Sequence, residues 1–180
     1  MIRGNLVTLG PLLPADFELL FYWANDPDLA RLNETYRPIG WKNYQEWFAG
    51  VGKDPAQVTF AIRSYQSAGK IIGYVQILNI DAVNHSATIG LRIGDPANRG
   101  RGYGSEALAL ALDYCWKHLN LSRVGLAVFD GNQAALAVYR RAGFKKEGVL
   151  RRAMFIDGRW VDLVLMAIMQ RSRRNPPDRQ

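Results

Sequence analysis

Between Asn98 and Ala107 the chain reads NRGRGYGSEA, which sets Gly100, Gly102 and Gly104 beside Arg99 and Arg101 immediately before a long helical pattern. The chemistry open to such a stretch is anion binding. The first N–H groups of a helix lack intrahelical acceptors and sit at the positive end of the helix dipole, so a phosphate placed there is stabilised. Glycines remove side chains from its path and permit left-handed backbone angles, which lets successive N–H groups converge on one phosphate. Arg99 and Arg101 add charge. Other glycine-rich motifs fit less well. A nucleotide P-loop needs Lys and then Ser or Thr after its last glycine, where this chain has Ser105 and Glu106. A dinucleotide fingerprint belongs after the first strand of a βαβ unit, and an arginine–glycine RNA-binding tail would be repetitive. A loop that uses glycine only to turn is the remaining alternative.

The elements around this stretch must position it. Asn5 to Leu9 reads as a first strand, and Pro14 opens an amphipathic helix in which Phe17, Leu20, Phe21 and Ala24 recur at helical spacing. A second helical segment around Asn43 to Ala49 carries Trp41, Tyr44, Trp47 and Phe48, read as core aromatics. Residues 57–64 and 70–80 form an antiparallel hairpin, and Ser86 to Gly94 is a fourth strand that leads into the glycine stretch. The following helix, Ser105 to Leu119, has an apolar stripe of Leu108, Ala111, Leu112, Cys115 and Leu119 that faces a sheet. Cys115 is therefore read as packing rather than as a nucleophile. Residues 122–129 are apolar on both faces, as a central strand would be. Asn132 to Ala142 is a shorter helix with Asn132 as its N-cap and Gly143 as its terminator. Asp157-Gly158 supplies a tight turn between strands 150–156 and 159–169. With no repeat and no linker, these elements predict one α/β (α+β) domain over residues 1–170, followed by a basic, disordered tail over 171–180.

Composition narrows the class. A chain of 180 residues with 48% hydrophobic residues suits a single globular core. The formal charge of +7 attracts anions, whether the phosphates of a cofactor, a nucleic acid or a membrane, and cannot choose among them. Part of that excess lies in the tail RSRRNPPDRQ, so nucleic acid is not the expected partner. No apolar run approaches the roughly 18 residues that cross a bilayer, and the start lacks a signal core, which predicts a soluble, cytoplasmic protein away from membranes. A single cysteine excludes an internal disulfide and a cysteine-based zinc cluster, and no metal is expected.

Arg99-Gly100-Arg101-Gly102-Tyr103-Gly104 resembles the R/Q-x-x-G-x-G/A motif of the GNAT superfamily of acetyl-CoA-dependent N-acetyltransferases, which lies between that family's fourth strand and third helix. Asn132-x-x-Ala135-x-x-x-Tyr139, the run from Tyr139 to Phe144, and Glu147-Gly148 resemble the family's cofactor-binding helix and its ending. Within the superfamily the chain looks most like the Rim-type protein N-terminal acetyltransferases and the spermidine acetyltransferases. The resemblance implies a mixed, mostly antiparallel sheet of about seven strands, with helices on both faces and splayed central strands. It also implies acetyl-CoA as donor and direct attack by an amine in a ternary complex.

On this resemblance the pyrophosphate lies on the N–H groups of Arg101 to Ser105, with Arg99, Gly100, Gly102, Tyr103 and Gly104 forming the rest of the cradle. The pantetheine arm adds to the edge of Leu91, Arg92 and Ile93, whose N–H groups polarise the thioester; such a donor is worth about 3–4 kcal/mol. Asn132 and Ala135 face the arm, and Tyr139 is the general acid on the leaving sulfur. The base is less defined, because Thr88 stands where relatives often carry a strand glutamate, and threonine cannot serve. Glu34 is one substitute, as base or acceptor contact; His85 and Asp81 are others, and a water chain would also suffice. Asp26, Asp28 and Glu34 either attract a cationic amine or are solvated loop and cap residues. A protein N-terminal amine is the leading acceptor, with a polyamine or other small amine such as an aminoglycoside second. A non-catalytic acetyl-CoA-binding module is the alternative of another class, and a homodimer is an open expectation.

Overall fold

The computed structural model describes residues 1–170 apart from Asn33; the basic tail expected over 171–180 lies outside the described residues. The sheet is an eight-stranded one built from β1 (Ile2–Arg3), β2 (Val7–Gly10), β3 (Val58–Ser64), β4 (Ile71–Asp81), β5 (Ser86–Ile93), β6 (Arg123–Phe129), β7 (Lys145–Ile156) and β8 (Arg159–Met169). Its spatial order is β1-β2-β3-β4-β5-β6-β8-β7. Every pairing is antiparallel except that of β5 with β6, which α4 (Tyr103–Lys117) connects. The strand beyond the expected seven is β1, whose two residues are too few to show a period of their own.

Helices cover both faces. Leu108, Ala111, Leu112 and Cys115 of α4 are buried with Val75 and Ile77 of β4, Val124 and Leu126 of β6, and Leu136 and Tyr139 of α5 (Gln133–Arg141). The Cys115 thiol is fully buried, and burial pushes its pKa up to about 12, in keeping with the packing role read from its spacing. The smaller layer joins α1 (Phe17–Ala24), α2 (Pro27–Ala30) and α3 (Trp41–Gly50) to the sheet through Leu20, Trp23, Leu29, Tyr44, Ala61 and Ile71. Of the four rings read as core, Tyr44 is buried and Phe48 packs beside it, but Trp41 and Trp47 stay 45% and 39% exposed at the rim of the layer. Phe17 meets Trp41, Tyr44 and Phe48 edge-on, with centroids 4.7, 5.5 and 5.3 Å away.

Three local features place the site. Pairing between β5 and β6 stops at Thr88↔Gly125, so the strands part over the last residues of β5, Ile89 to Ile93, which is the splay expected from the sequence. Asn132 caps α5 by accepting from the Ala135 N–H at 3.1 Å, and Gly143 ends that helix region with φ +100°. Asp157 and Gly158 both have positive φ, 48° and 75°, the geometry of a two-residue hairpin turn matched to strand twist.

Candidate active site

A cavity of about 460 Å³ opens beside the unpaired end of β5. Its walls are Leu91, Arg92 and Ile93 of β5, the loop through Asn98, Arg99, Gly100 and Gly102, Gly104 and Ser105 of α4, and Asn132, Ala134, Ala135, Val138, Tyr139 and Arg141 around α5. Leu29 and Leu32 close one side. Among the described residues the charged lining is Arg92, Arg99 and Arg141, with no carboxylate, so the cleft favours an anion.

The glycine loop has the geometry its sequence predicts. Gly100 and Gly102 adopt φ of +72° and +83°, backbone angles that side chains resist. Gly104 is helical and lies flush against Leu91 and Ile93. The first helical bond of α4 runs from the Glu106 N–H to the Gly102 carbonyl, 3.0 Å. Among the described residues, the N–H groups from Gly100 to Ser105 donate to no protein acceptor. An unfilled set of donors at a helix start, beside arginines, has the chemistry that an anion needs.

The side chains of that stretch divide. Arg99 folds back toward the Ile93 and Gly94 carbonyls at 3.4 and 3.3 Å, bracing the loop at its base. Arg101 is exposed and lies outside the cavity wall. Tyr103 is buried, and its hydroxyl donates to Gln66 Oε1 at 3.0 Å, so only its backbone faces the cradle. Asn132 both caps α5 and donates through Nδ2 to the Leu32 carbonyl at 3.1 Å, which ties the loop after α2 to the cavity wall.

Tyr139 lines the cavity, packed edge-to-face on Phe144 with centroids 5.6 Å apart. Burial raises its phenol to about 12. Among the described residues no partner engages the Tyr139 hydroxyl, and no sealed side-chain polar atom lacks one, which fits a hydroxyl on the cavity side of a residue that lines it.

The candidate bases fare differently. Glu34 sits outside the cavity wall, where Oε1 accepts from Arg92 Nη2 at 2.5 Å; its side chain stays 54% exposed against 11% for Arg92. Arg92 also lies over the Tyr74 ring, 5.9 Å from its centroid. Burial opposes the Arg92 cation, but Tyr74, Glu34 and Tyr44 outweigh it and hold its pKa above the ordinary value, so it stays charged. Thr88 is taken up by a bulge: its Oγ1 donates to the Leu78 carbonyl at 3.2 Å and accepts from Asn79 Nδ2 at 3.1 Å. Asp81 accepts from the Val83 and Asn84 N–H groups in the β4–β5 turn, and bonds from Asn84 hold its carboxyl below the usual range. His85 Nδ1 pairs with the Asn120 carbonyl at 3.0 Å. Asp81 and His85 thus stand at the start of β5, where β5 and β6 are still joined, away from the cavity at its far end.

Arg141, Val138 and Ala134 are site residues beyond those read from the sequence, although their spacing from one another, on one helix face, was a usable signal. Leu29 and Leu32 had none, since only folding brings them to α5.

An open helix start, a strand edge freed by splay and a cationic cleft can take an extended ligand that carries phosphate at one end. Known proteins agree. Residues 7–145 match the profile of the acetyltransferase (GNAT) domain. The chain belongs to the GNAT acetyltransferase family and is an N-acetyltransferase with acetyl-CoA as donor. It is 33% identical to the spermidine N(1)-acetyltransferase of Vibrio cholerae over 117 residues, 65% of this chain and 66% of that one. It is 27% identical to the putative ribosomal N-acetyltransferase YdaF of Bacillus subtilis over 150 residues, 83% of this chain and 76% of that one. The crystal structure of the Vibrio cholerae spermidine N-acetyltransferase in complex with CoA and spermine superposes with a TM-score of 0.83 at 28% identity, covering 93% of this chain and 97% of that one. Another structure of that enzyme is described as dodecameric.

Proposed function

We propose that the acceptor is a polyamine or a similarly small cationic amine. The observation that carries this reading is the likeness, over 97% of its chain, to an enzyme solved with CoA and spermine. The protein N-terminal amine, the leading acceptor on sequence grounds, takes second place; the likeness to a putative ribosomal acetyltransferase keeps it on the panel.

In this reading the pyrophosphate sits on the N–H groups between Arg101 and Ser105, with Arg99 and Arg141 adding field. The pantetheine arm pairs with the open edge of Leu91 to Ile93, against Asn132 and Ala135. The amine nitrogen attacks the thioester carbon; the C–N bond forms, the C–S bond breaks and the nitrogen gives its proton to water. Tyr139 meets the departing sulfur. A phenol near 12 is a weaker acid than a thiol near 8.5, so giving it up outright costs about 5 kcal/mol. Tyr139 therefore stabilises the departing thiolate by a hydrogen bond and keeps its own proton, and the thiolate takes its proton from solvent. Glu34, already bonded to Arg92, has a second oxygen for the acceptor's cationic end, which makes it an acceptor contact rather than the base. A homo-oligomer belongs to the same reading.

The test is release of CoA thiol from acetyl-CoA with spermidine, spermine, an aminoglycoside and peptides with free N-termini. The expected order places the polyamines first, by at least tenfold in kcat/KM. A peptide that outruns them overturns the polyamine acceptor and restores the protein N-terminus.

A further inference from the structure

Glu106, in the first turn of α4, accepts three backbone hydrogen bonds from a turn far away in sequence: Asn5 N–H to Oε1 at 2.8 Å, and Leu6 and Val7 N–H to Oε2 at 2.7 and 2.8 Å. Bonds of this kind to an ionised carboxylate are the strong ones. The fit is close, since a Cβ on Gly4 would lie 2.6 Å from Glu106 Oε2. The same turn touches the cradle directly: Leu6 Cδ1 approaches within 3.4 Å of where a Cβ on Gly102 would be. It is anchored in its turn to β3, because the Tyr65 N–H donates to the Leu6 carbonyl at 3.3 Å and the Tyr65 hydroxyl to the Gly4 carbonyl at 3.0 Å. Beside Glu106, Tyr103 is held by Gln66.

Burial raises the Glu106 carboxyl, but the donors from Leu6, Asn5 and Val7 outweigh it and hold the group below its ordinary range. The carboxylate thus stays ionised, yet is turned onto the Asn5–Val7 amides and outside the cavity wall. The turn's partial positive charge compensates a negative group that would otherwise lie one residue from the anion cradle.

We propose that Glu106 is a positioning residue for acetyl-CoA: it clamps the start of α4 to the Gly4–Val7 turn, holding the Gly100–Ser105 N–H groups on the pyrophosphate and its own charge away from it. This rests on the cradle reading given above. A brace of this kind serves only the nucleotide end of the donor, because the acetylated arm lies on β5 and α5.

The discriminating comparison is therefore acetyl-CoA against S-acetylpantetheine, which carries the arm without pyrophosphate. In Glu106→Gln one acceptor oxygen becomes an NH₂ facing backbone donors. The KM for acetyl-CoA should rise at least tenfold, with kcat at saturation within twofold and kcat/KM for S-acetylpantetheine unchanged. Gly4→Ala, which displaces the carboxylate but keeps its charge, should give the same split if the glutamine variant folds poorly. Equal loss on both donors would mean a general structural role and overturn the proposal, as would an unchanged acetyl-CoA KM in both variants. Ser105→Asp separates this from failure of the cradle itself, since an acidic residue in the first turn suits the helix but opposes a phosphate. If Ser105→Asp binds CoA as tightly as the unaltered chain, the cradle reading falls; if it weakens CoA while Glu106→Gln does not, only the brace falls.

Discussion

Tyr139 illustrates how far one side chain's surroundings decide its chemistry. Spacing alone allows a helical tyrosine packed beneath a sheet, and the structure does pack it on Phe144; the difference is that its hydroxyl opens to the cavity. Tyr139→Phe removes only that oxygen. We expect kcat to fall by about 10²–10³, the usual worth of one hydrogen-bond donor aimed at developing charge, with the acetyl-CoA Kd within a factor of about two. Stopped-flow turnover and calorimetric titration of the same sample check both; unchanged turnover would remove its role. The pH dependence has a definite sign. In the role proposed for it the phenol must stay protonated, and burial pushes its loss up to about 12. Between about pH 6 and 10 kcat/KM should therefore rise as the acceptor amine, near 10.4 for a lysine-like amine, loses its proton, with no descending limb from Tyr139. A fall above about pH 8.5 that vanishes in Tyr139→Phe would contradict this.

The element that ties the cavity together is the start of α5. Asn132 spends one amide atom on the Ala135 N–H and another on the Leu32 carbonyl, so one residue caps a helix and fastens the loop that bears Glu34. Asn132→Ala should cost about 1 kcal/mol for the cap, seen as a fall in Tm of roughly 2–4 °C for a domain of this size. It should also raise KM for both donor and acceptor, because the loop loses its fastening. Thermal unfolding with steady-state kinetics reads the two effects separately, and a stability loss with unaltered KM would confine Asn132 to capping. The cap and the glycine loop were legible because capping and left-handed angles are local constraints written in residue type. The bulge that absorbs Thr88 was not, since it arises from the register of β4 against β5 between Leu78 and Asp81.

Over the whole molecule, charge is arranged by sign. Among the described residues the cleft wall is charged by arginine, while Glu34 stands outside it, paired with Arg92. Raising salt from about 0.05 to 0.5 M shortens the screening length from above 10 Å toward a few ångström and should weaken CoA binding several-fold. Calorimetry at both salts checks this, and a constant Kd would leave the backbone N–H groups as the sole anion site. The exposed edge strand β7 carries Lys145 and Lys146 at its start and Arg151 and Arg152 near its middle. Charged side chains on an unpaired edge oppose the addition of another strand. No helix among the described residues is long and apolar enough to cross a membrane.

By itself the sequence determined the order of nearly all the elements, the left-handed turns at Gly100 and Gly102, the capping of α5, the packing of Cys115 and the family. Each depends on hydrophobic period or backbone preference within a short window. Tertiary structure decided which candidate carboxylate and base residues lie near the chemistry. It joined Glu34 to Arg92, placed Asp81 and His85 at the closed end of β5, turned Arg99 back onto the strand and brought Leu29 and Leu32 to the cavity. It also set Glu106 on a turn about 100 residues earlier, a pairing without a local signature. Such contacts follow from strand register and loop closure, quantities that belong to the folded chain as a whole and to no single segment of it.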